Sequence, residues 1–143
     1  MGLFNYEIYI LLYSRIIQKP KFQPFNSSFN LKPMKNIIGI RREDKNNWEK
    51  RVPLIPEDVK SLLTKNELEI VIQPSSIRIF PDKSFRESGA QISESLHDAD
   101  IILGVKEIPI EFFEENKTYI FFSHTIKGQS YNMDMLKQMI KQK

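Results

Sequence analysis

The chain has 143 residues, enough for one domain with a substantial core, and its 41% hydrophobic and 27% charged content is ordinary for a globular protein. It contains no cysteine, which excludes disulfides, thiolate nucleophiles and zinc–thiolate sites, and its two histidines, His97 and His124, are too few for a histidine-built metal centre. The net charge of +3 falls in residues 1–33, where Arg15, Lys19, Lys21 and Lys32 face Glu7 alone; the remainder balances, so a nucleic-acid partner is set aside.

In chain order, residues 1–33 come first and look unlike the rest. Leu3 to Ile17 is apolar and aromatic but broken by Asn5, Glu7, Ser14 and Arg15. It is too short and too interrupted for a membrane span, which needs about 20 apolar residues. Its first charge is acidic and no small-residue cleavage site follows, so it does not read as a signal peptide. It reads as an N-terminal extension, disordered or loosely packed, with the domain proper expected over residues 34–143. A cytoplasmic location follows, or a mitochondrial one should residues 1–33 act as a targeting leader.

Asn36 to Ile40 is an apolar run and the first predicted strand, closed by Arg41 and Arg42. Glu43 to Arg51 reads as a polar loop carrying the lone Trp48. Pro56 opens a helix at its first position, with Glu57 and Asp58 placed to suit the helix dipole and Val59, Leu62 and Leu63 as the apolar stripe. Leu68 to Ile72 is a second strand, stopped by Pro74. Pro81 to Ser88 is a short helix with Gly89 at its end, and Ala90 to Ile92 a third, short strand. Ser93 to Ala99 is a turn or loop. Ile101 to Val105 and Thr118 to Phe122 are two more strands, with a short helix expected over Pro109 to Asn116 between them. Asn132 is expected to cap a last helix whose face carries Met135, Leu136, Met139 and Ile140. Strands alternating with helical segments imply βαβ units, hence an α/β domain with a mostly parallel sheet flanked by helices. The sequence stops inside the last helix, so the domain is expected to be C-terminally incomplete.

Two strands deliver polar residues at their carboxyl ends. Ile101 to Val105 leads to Lys106, and Tyr119 to Phe122 leads to His124. In a parallel α/β sheet ligands bind outside those ends, so Lys106 and His124 form a candidate proton-transfer pair. A desolvated lysine near other cations loses basicity, and imidazole ordinarily titrates near neutrality; both suit acid–base work. The bland readings are a solvated lysine and a histidine bonded to backbone. Lys127 could extend a cationic pocket, against the ordinary reading of a solvated lysine. Arg51, between the polar loop and the first helix, could grip a carboxylate through two parallel hydrogen bonds, although a surface salt bridge fits composition alone. Arg41 and Arg42 are expected to face the same rim, and His97 to be exposed. Gly2, Gly39, Gly89, Gly104 and Gly128 never form a G-x-G-x-x-G or P-loop spacing, so no pyrophosphate cradle is visible.

The run Ile38-Gly-Ile-Arg41-Arg-Glu-Asp, followed by Trp48-Glu-Lys-Arg51-Val-Pro-Leu-Ile-Pro56, resembles the opening of the lysine-ketoglutarate reductase part of bifunctional aminoadipic semialdehyde synthase. Phe80-Pro81-Asp82, Ala99-Asp100 through Val-Lys106-Glu-Ile-Pro109, and Phe122-Ser-His124-Thr-Ile-Lys127 through Asn132-Met continue the likeness in order from Lys35 to the C-terminus. The looser pattern also resembles saccharopine dehydrogenases and, more distantly, alanine dehydrogenase and the nucleotide transhydrogenases.

The resemblance implies a flavodoxin-like or Rossmann-like half: the substrate-side N-terminal domain of alanine dehydrogenase/transhydrogenase type, without the dinucleotide-binding domain that should follow. It implies an oxidoreductase of lysine metabolism that interconverts lysine plus 2-oxoglutarate and saccharopine, with NAD or NADP bound in the full-length enzyme and none bound by this chain alone. Lys106 and His124 match the family's acid–base pair and Arg51 its carboxylate-binding arginine. The expected partners are these small molecules and a separate Rossmann domain, with self-association through uncovered apolar surface and no membrane. The competing readings are an alanine dehydrogenase-like fragment and a non-catalytic binding or interaction module.

Overall fold

The computed structural model describes residues 36–142; the expected extension over residues 1–33 lies outside them. Five strands, β1 (Ile37–Ile40), β2 (Glu69–Ile72), β3 (Gln91–Ile92), β4 (Ile101–Leu103) and β5 (Thr118–Ile120), form one sheet in the order β3-β2-β1-β4-β5. Every pairing is parallel: Ile38 lies between Ile70 and Ile101, Val71 beside Gln91, and Ile102 beside Tyr119. The helices are α1 (Pro56–Lys65), α2 (Asp82–Glu87) and α3 (Met133–Lys141), with 3₁₀ turns at Ile110–Phe112 and Ser130–Asn132.

The central strand explains the layering. All four residues of β1 are buried, as a strand covered on both faces requires. Ile38 and Ile40 point to one face, where they meet Ile70, Ile72, Leu103, Val59 and Phe85. Ile37 points to the other, with Leu96, Ala99 and Ile102. Gly39 shares that second face, and a Cβ there would stand 2.9 Å from Ile102 Cδ1 and 3.0 Å from Ala99 Cβ. Ile108, Phe113 and Met135 form a third cluster that anchors α3. The α1 start is as expected: Pro56 takes the first helical position and Asp58 reaches back to the Ile55 N–H at 3.5 Å. Arg78 is buried beyond β2, donating to the Gln73 and Phe80 carbonyls at 3.1 and 3.2 Å, paired with Asp82 and stacked 4.7 Å from the Phe85 ring centre.

Two expectations need correction. Residues 109–116 do not form a helix but a single 3₁₀ turn, Ile110–Phe112. The Tyr119 hydroxyl donates to the Phe112 carbonyl (3.0 Å) and accepts from the Glu114 N–H (2.8 Å), occupying backbone groups a continuing helix would use. Asn132 precedes α3 as expected, yet its side chain makes no cap bond. Its amide turns the other way, into the region described next.

Candidate active site

The sheet reverses its direction of growth between β1 and β4: β2 and β3 extend one side, β4 and β5 the other. A crevice outside the carboxyl ends of the strands at such a switch point is where open α/β sheets bind ligands. Beyond β1 the chain delivers Glu43; beyond β4 it delivers Val105 and Lys106. Glu43 is buried, and its two oxygens accept the N–H groups of Val105 (2.6 Å) and Lys106 (2.9 Å). Burial pushes the Glu43 carboxyl up, against the opposing pull of those two backbone donors and of Arg41.

The loop after Glu43 returns to the same rim. Glu49 is buried and holds Arg51 in a fork, with Arg51 Nε 2.7 Å from Oε1 and Nη2 2.6 Å from Oε2. The Arg51 side chain is otherwise 65% exposed. Its hydrogen bonds hold the Glu49 carboxyl below the usual carboxylate range, and the Lys106 ammonium acts in the same direction. Glu43 likewise favours the charged Arg51. Glu43, Glu49, Arg51 and Lys106 therefore share one electrostatic neighbourhood. The Lys106 ammonium has no hydrogen-bond partner among the described residues.

Beside it, β5 delivers His124. Pairing continues past both strands, with Gly104 N–H on Ile120 O (3.0 Å) and Phe122 N–H on Val105 O (3.2 Å), so Lys106 and His124 emerge from neighbouring strands in the same sense. His124 has φ +50°, a left-handed conformation uncommon for residues other than glycine. The buried Asn132 amide holds that turn, donating to the Ser123 carbonyl at 3.0 Å and the His124 carbonyl at 3.3 Å. His124 Nδ1 lies 3.1 Å from Glu107 Oε1, which also takes the Lys45 ammonium at 2.7 Å. Burial pushes the Glu107 carboxyl up, but the Lys45 hydrogen bond, a backbone N–H, the Lys45 charge and the His124 hydrogen bond together outweigh it and hold the group at about 2. A cavity of about 470 Å³, lined by Lys45, Glu107, Pro109, Tyr131, Asn132 and Met135, opens next to this cluster.

Of the residues expected from sequence, Lys106, His124 and Arg51 thus gather on one rim. Lys127 is exposed on the turn that ends at Gly128 and makes no ion pair among the described residues. Arg41 departs from expectation: it is 3% exposed, paired with Asp44 and 5.0 Å from the Phe112 ring centre, tucked inward rather than facing the rim. Arg42 pairs with Glu94 at 2.7 Å. His97 is exposed as expected, its Nδ1 2.6 Å from Glu114. Glu43, Glu49, Glu107 and Lys45 join the site without a sequence expectation, and Asn132, expected as a helix cap, serves it as well. Glu43 follows a buried strand as closely as Lys106 does, and Glu107 one residue later, which is the available signal.

No group of three or more His, Asp or Glu residues among those described is arranged to hold a metal ion. No described helix is long and apolar enough to cross a membrane. The described residues also do not fit a dinucleotide. The connection after β1 is filled by Arg41 and Glu43 and reaches α1 only at Pro56, where Glu57 and Asp58 put negative charge at the helix start. Gly39 is packed inside the sheet and Gly104 lies 3.7 Å from Glu43 at its missing Cβ, so neither opens a pyrophosphate cradle.

Residues 39–143 match the family described as alanine dehydrogenase/PNT, N-terminal domain. The chain is 44% identical over 108 residues to the mitochondrial alpha-aminoadipic semialdehyde synthase of Mus musculus, covering 76% of this chain and 12% of the relative. It is 37% identical over 112 residues to alpha-aminoadipic semialdehyde synthase of Arabidopsis thaliana, 75% of this chain and 10% of the relative. It is 33% identical over 104 residues to the NAD(+), L-lysine-forming saccharopine dehydrogenase of Yarrowia lipolytica, 69% of this chain and 28% of the relative. Among solved structures, an L-alanine dehydrogenase superposes with a TM-score of 0.62 at 23% identity, covering 74% of this chain and 30% of the other. The transhydrogenase of Sinorhizobium meliloti gives 0.57 at 23% identity, covering 69% and 31%. The chain spans about an eighth of the mouse relative it matches. It belongs to the alanine dehydrogenase/PNT N-terminal domain family.

Proposed function

As a member of that family, we propose that the chain supplies the substrate-binding, proton-transferring part of an oxidoreductase of lysine metabolism. The reaction joins the ε-amine of lysine to the 2-oxo carbon of 2-oxoglutarate and yields saccharopine, or runs in reverse. The observation that carries this reading is the common rim of Lys106, His124 and Arg51 at the switch point, in a chain 44% identical to a semialdehyde synthase segment.

The chemistry divides among these residues. Arg51 binds a substrate carboxylate; its guanidinium is already aligned by the Glu49 fork and its outer face is open to solvent. Attack of a neutral amine on the 2-oxo carbon forms a carbinolamine, and the amine must shed a proton while the oxygen gains one. Loss of water then needs a proton on the leaving hydroxyl. Lys106 and His124 carry those protons, one on each side of the substrate. Reduction of the resulting imine draws hydride from a nicotinamide cofactor, to which no described residue is assigned.

The test has two arms. Calorimetric titration of the chain with 2-oxoglutarate and saccharopine should show binding that Arg51→Ala weakens by at least about tenfold, the worth of a charge-assisted hydrogen bond. Turnover of lysine plus 2-oxoglutarate, followed by nicotinamide absorbance with a separate nicotinamide-binding domain supplied, should be lost in Lys106→Met and in His124→Gln. Binding indifferent to Arg51, or turnover that survives Lys106→Met, would overturn the assignment.

A further inference from the structure

Glu43 is a buried carboxylate that joins the two halves of the sheet at the switch point. It stands on the β1 side, and the N–H groups it accepts stand on the β4 side, 62 and 63 residues on. It is 6% exposed and packed against Gly104, whose missing Cβ would lie 3.7 Å from Oε1. A Cβ at residue 104 would rest in ordinary contact with this seat. The charged groups around it are Arg41 on its own strand end and Glu49 and Arg51 on the following loop; the Lys106 ammonium, from the strand opposite, acts on Glu49.

We propose that Glu43 is a positioning residue: its carboxylate clamps the Val105–Lys106 peptide to the loop after β1 and so aims the Lys106 ammonium at the space beside Glu49 and Arg51. This rests on the reading of Lys106 as a proton-transferring group. A carboxylate presents an acceptor to each of the two N–H groups. An amide presents one acceptor and one NH₂, so Glu43→Gln sets a donor against a donor at one position while leaving volume unchanged. His124 is held by Asn132 and by Glu107, the residue next in the chain to Lys106.

The experiment is amide exchange and side-chain NMR on the 143-residue chain and its Glu43→Gln variant. Exchange at Val105 or Lys106 should accelerate by at least about tenfold, the equivalent of one net hydrogen bond, while the amides of Ile40 and Ile102 stay protected. The Lys106 Nζ resonance should shift, as it also should in Glu49→Gln. Unchanged exchange at both amides together with an unmoved Lys106 resonance overturns the proposal. If Glu43→Gln does not fold, the wild-type chain is titrated: the Val105 and Lys106 amide shifts must follow the same midpoint as the Glu43 Cδ shift, and independent midpoints overturn the clamp. None of these readouts uses turnover. Activity that survives Lys106→Met would therefore remove the acid–base reading, whereas a silent Glu43→Gln would remove the clamp alone.

Discussion

The Glu107 carboxylate makes stability depend on pH in a way that can be worked out beforehand. It is 11% exposed at its side chain and is held by Lys45 at 2.7 Å and His124 at 3.1 Å. Against the ordinary value of 4.5, these partners hold it at about 2 in the folded chain. A carboxyl depressed on folding contributes stability that is complete above the unfolded value and is lost as pH falls through the folded one. The full gap is worth about 3 kcal/mol, of which about 2 kcal/mol should vanish between pH 7 and pH 3. Glu107→Gln removes the titrating group and with it that part of the slope. The assay is urea unfolding followed by far-ultraviolet circular dichroism, since Trp48 at 81% exposure is a poor reporter of folding. Stability curves of the wild type and Glu107→Gln that run parallel from pH 7 to pH 3 would refute the reasoning, because the carboxylate would then not be ion-paired in the folded state. Lys45→Met should remove the larger share of the effect, because Lys45 supplies both the shorter hydrogen bond and a charge.

Four further outcomes are expected. Gly39→Ala should destabilise by about 1–3 kcal/mol, because its Cβ overpacks Ile102 and Ala99, whereas Gly104→Ala, with ordinary contacts at 3.7 Å, should fall within about 0.5 kcal/mol of wild type; urea midpoints decide both. Phe85→Ala should lose about 3–5 kcal/mol, as a fully buried ring beneath Arg78 is removed; a loss under about 1 kcal/mol would mean the site collapses without a cavity. Asn132→Ala should strip the donor from the Ser123 and His124 carbonyls, cost about 1–3 kcal/mol, and broaden the His124 ring resonances as its turn loosens. Glu49→Gln should leave stability within about 1 kcal/mol, because Arg51 lies mostly in solvent, yet weaken 2-oxoglutarate binding in a calorimetric titration by freeing the guanidinium from its fork.

The strands were readable because they are apolar runs bounded by charged or turn residues. Ile37–Ile40 and Ile101–Leu103 sit inside the spans expected for them, and Pro56 and Gly89 mark a helix start and a helix end by mechanisms that act locally. The short helix after Pro109 was misjudged because its fate is settled by Tyr119, ten residues on, whose hydroxyl competes for the backbone. The site was half legible for the same reason. Lys106 and His124 announce themselves by position after a strand. Glu43 and Glu49 sit in a segment of charged residues that looks solvated, and nothing local says that two of its carboxylates turn inward. Asn132 was recognised as a helix-start residue, but its amide serves a turn eight residues earlier instead. Partners distant in sequence are where local chemistry loses its reach.

The strand order carries a consequence for how the chain is made. The middle strand is the first of the five to leave the ribosome, and its second neighbour, β4, arrives more than sixty residues later, as does the peptide that Glu43 must grip. At translation speeds of about 5–20 residues per second, β1 waits roughly 3–12 seconds with one edge and one side of Ile37–Ile40 uncovered. Such long-range parallel pairing is slow to assemble even once synthesis is complete. The segment most protected in the finished protein is therefore the one longest at risk during its birth, and an unguarded Ile-Ile-Gly-Ile edge is where nascent chains would first adhere to one another or to a chaperone.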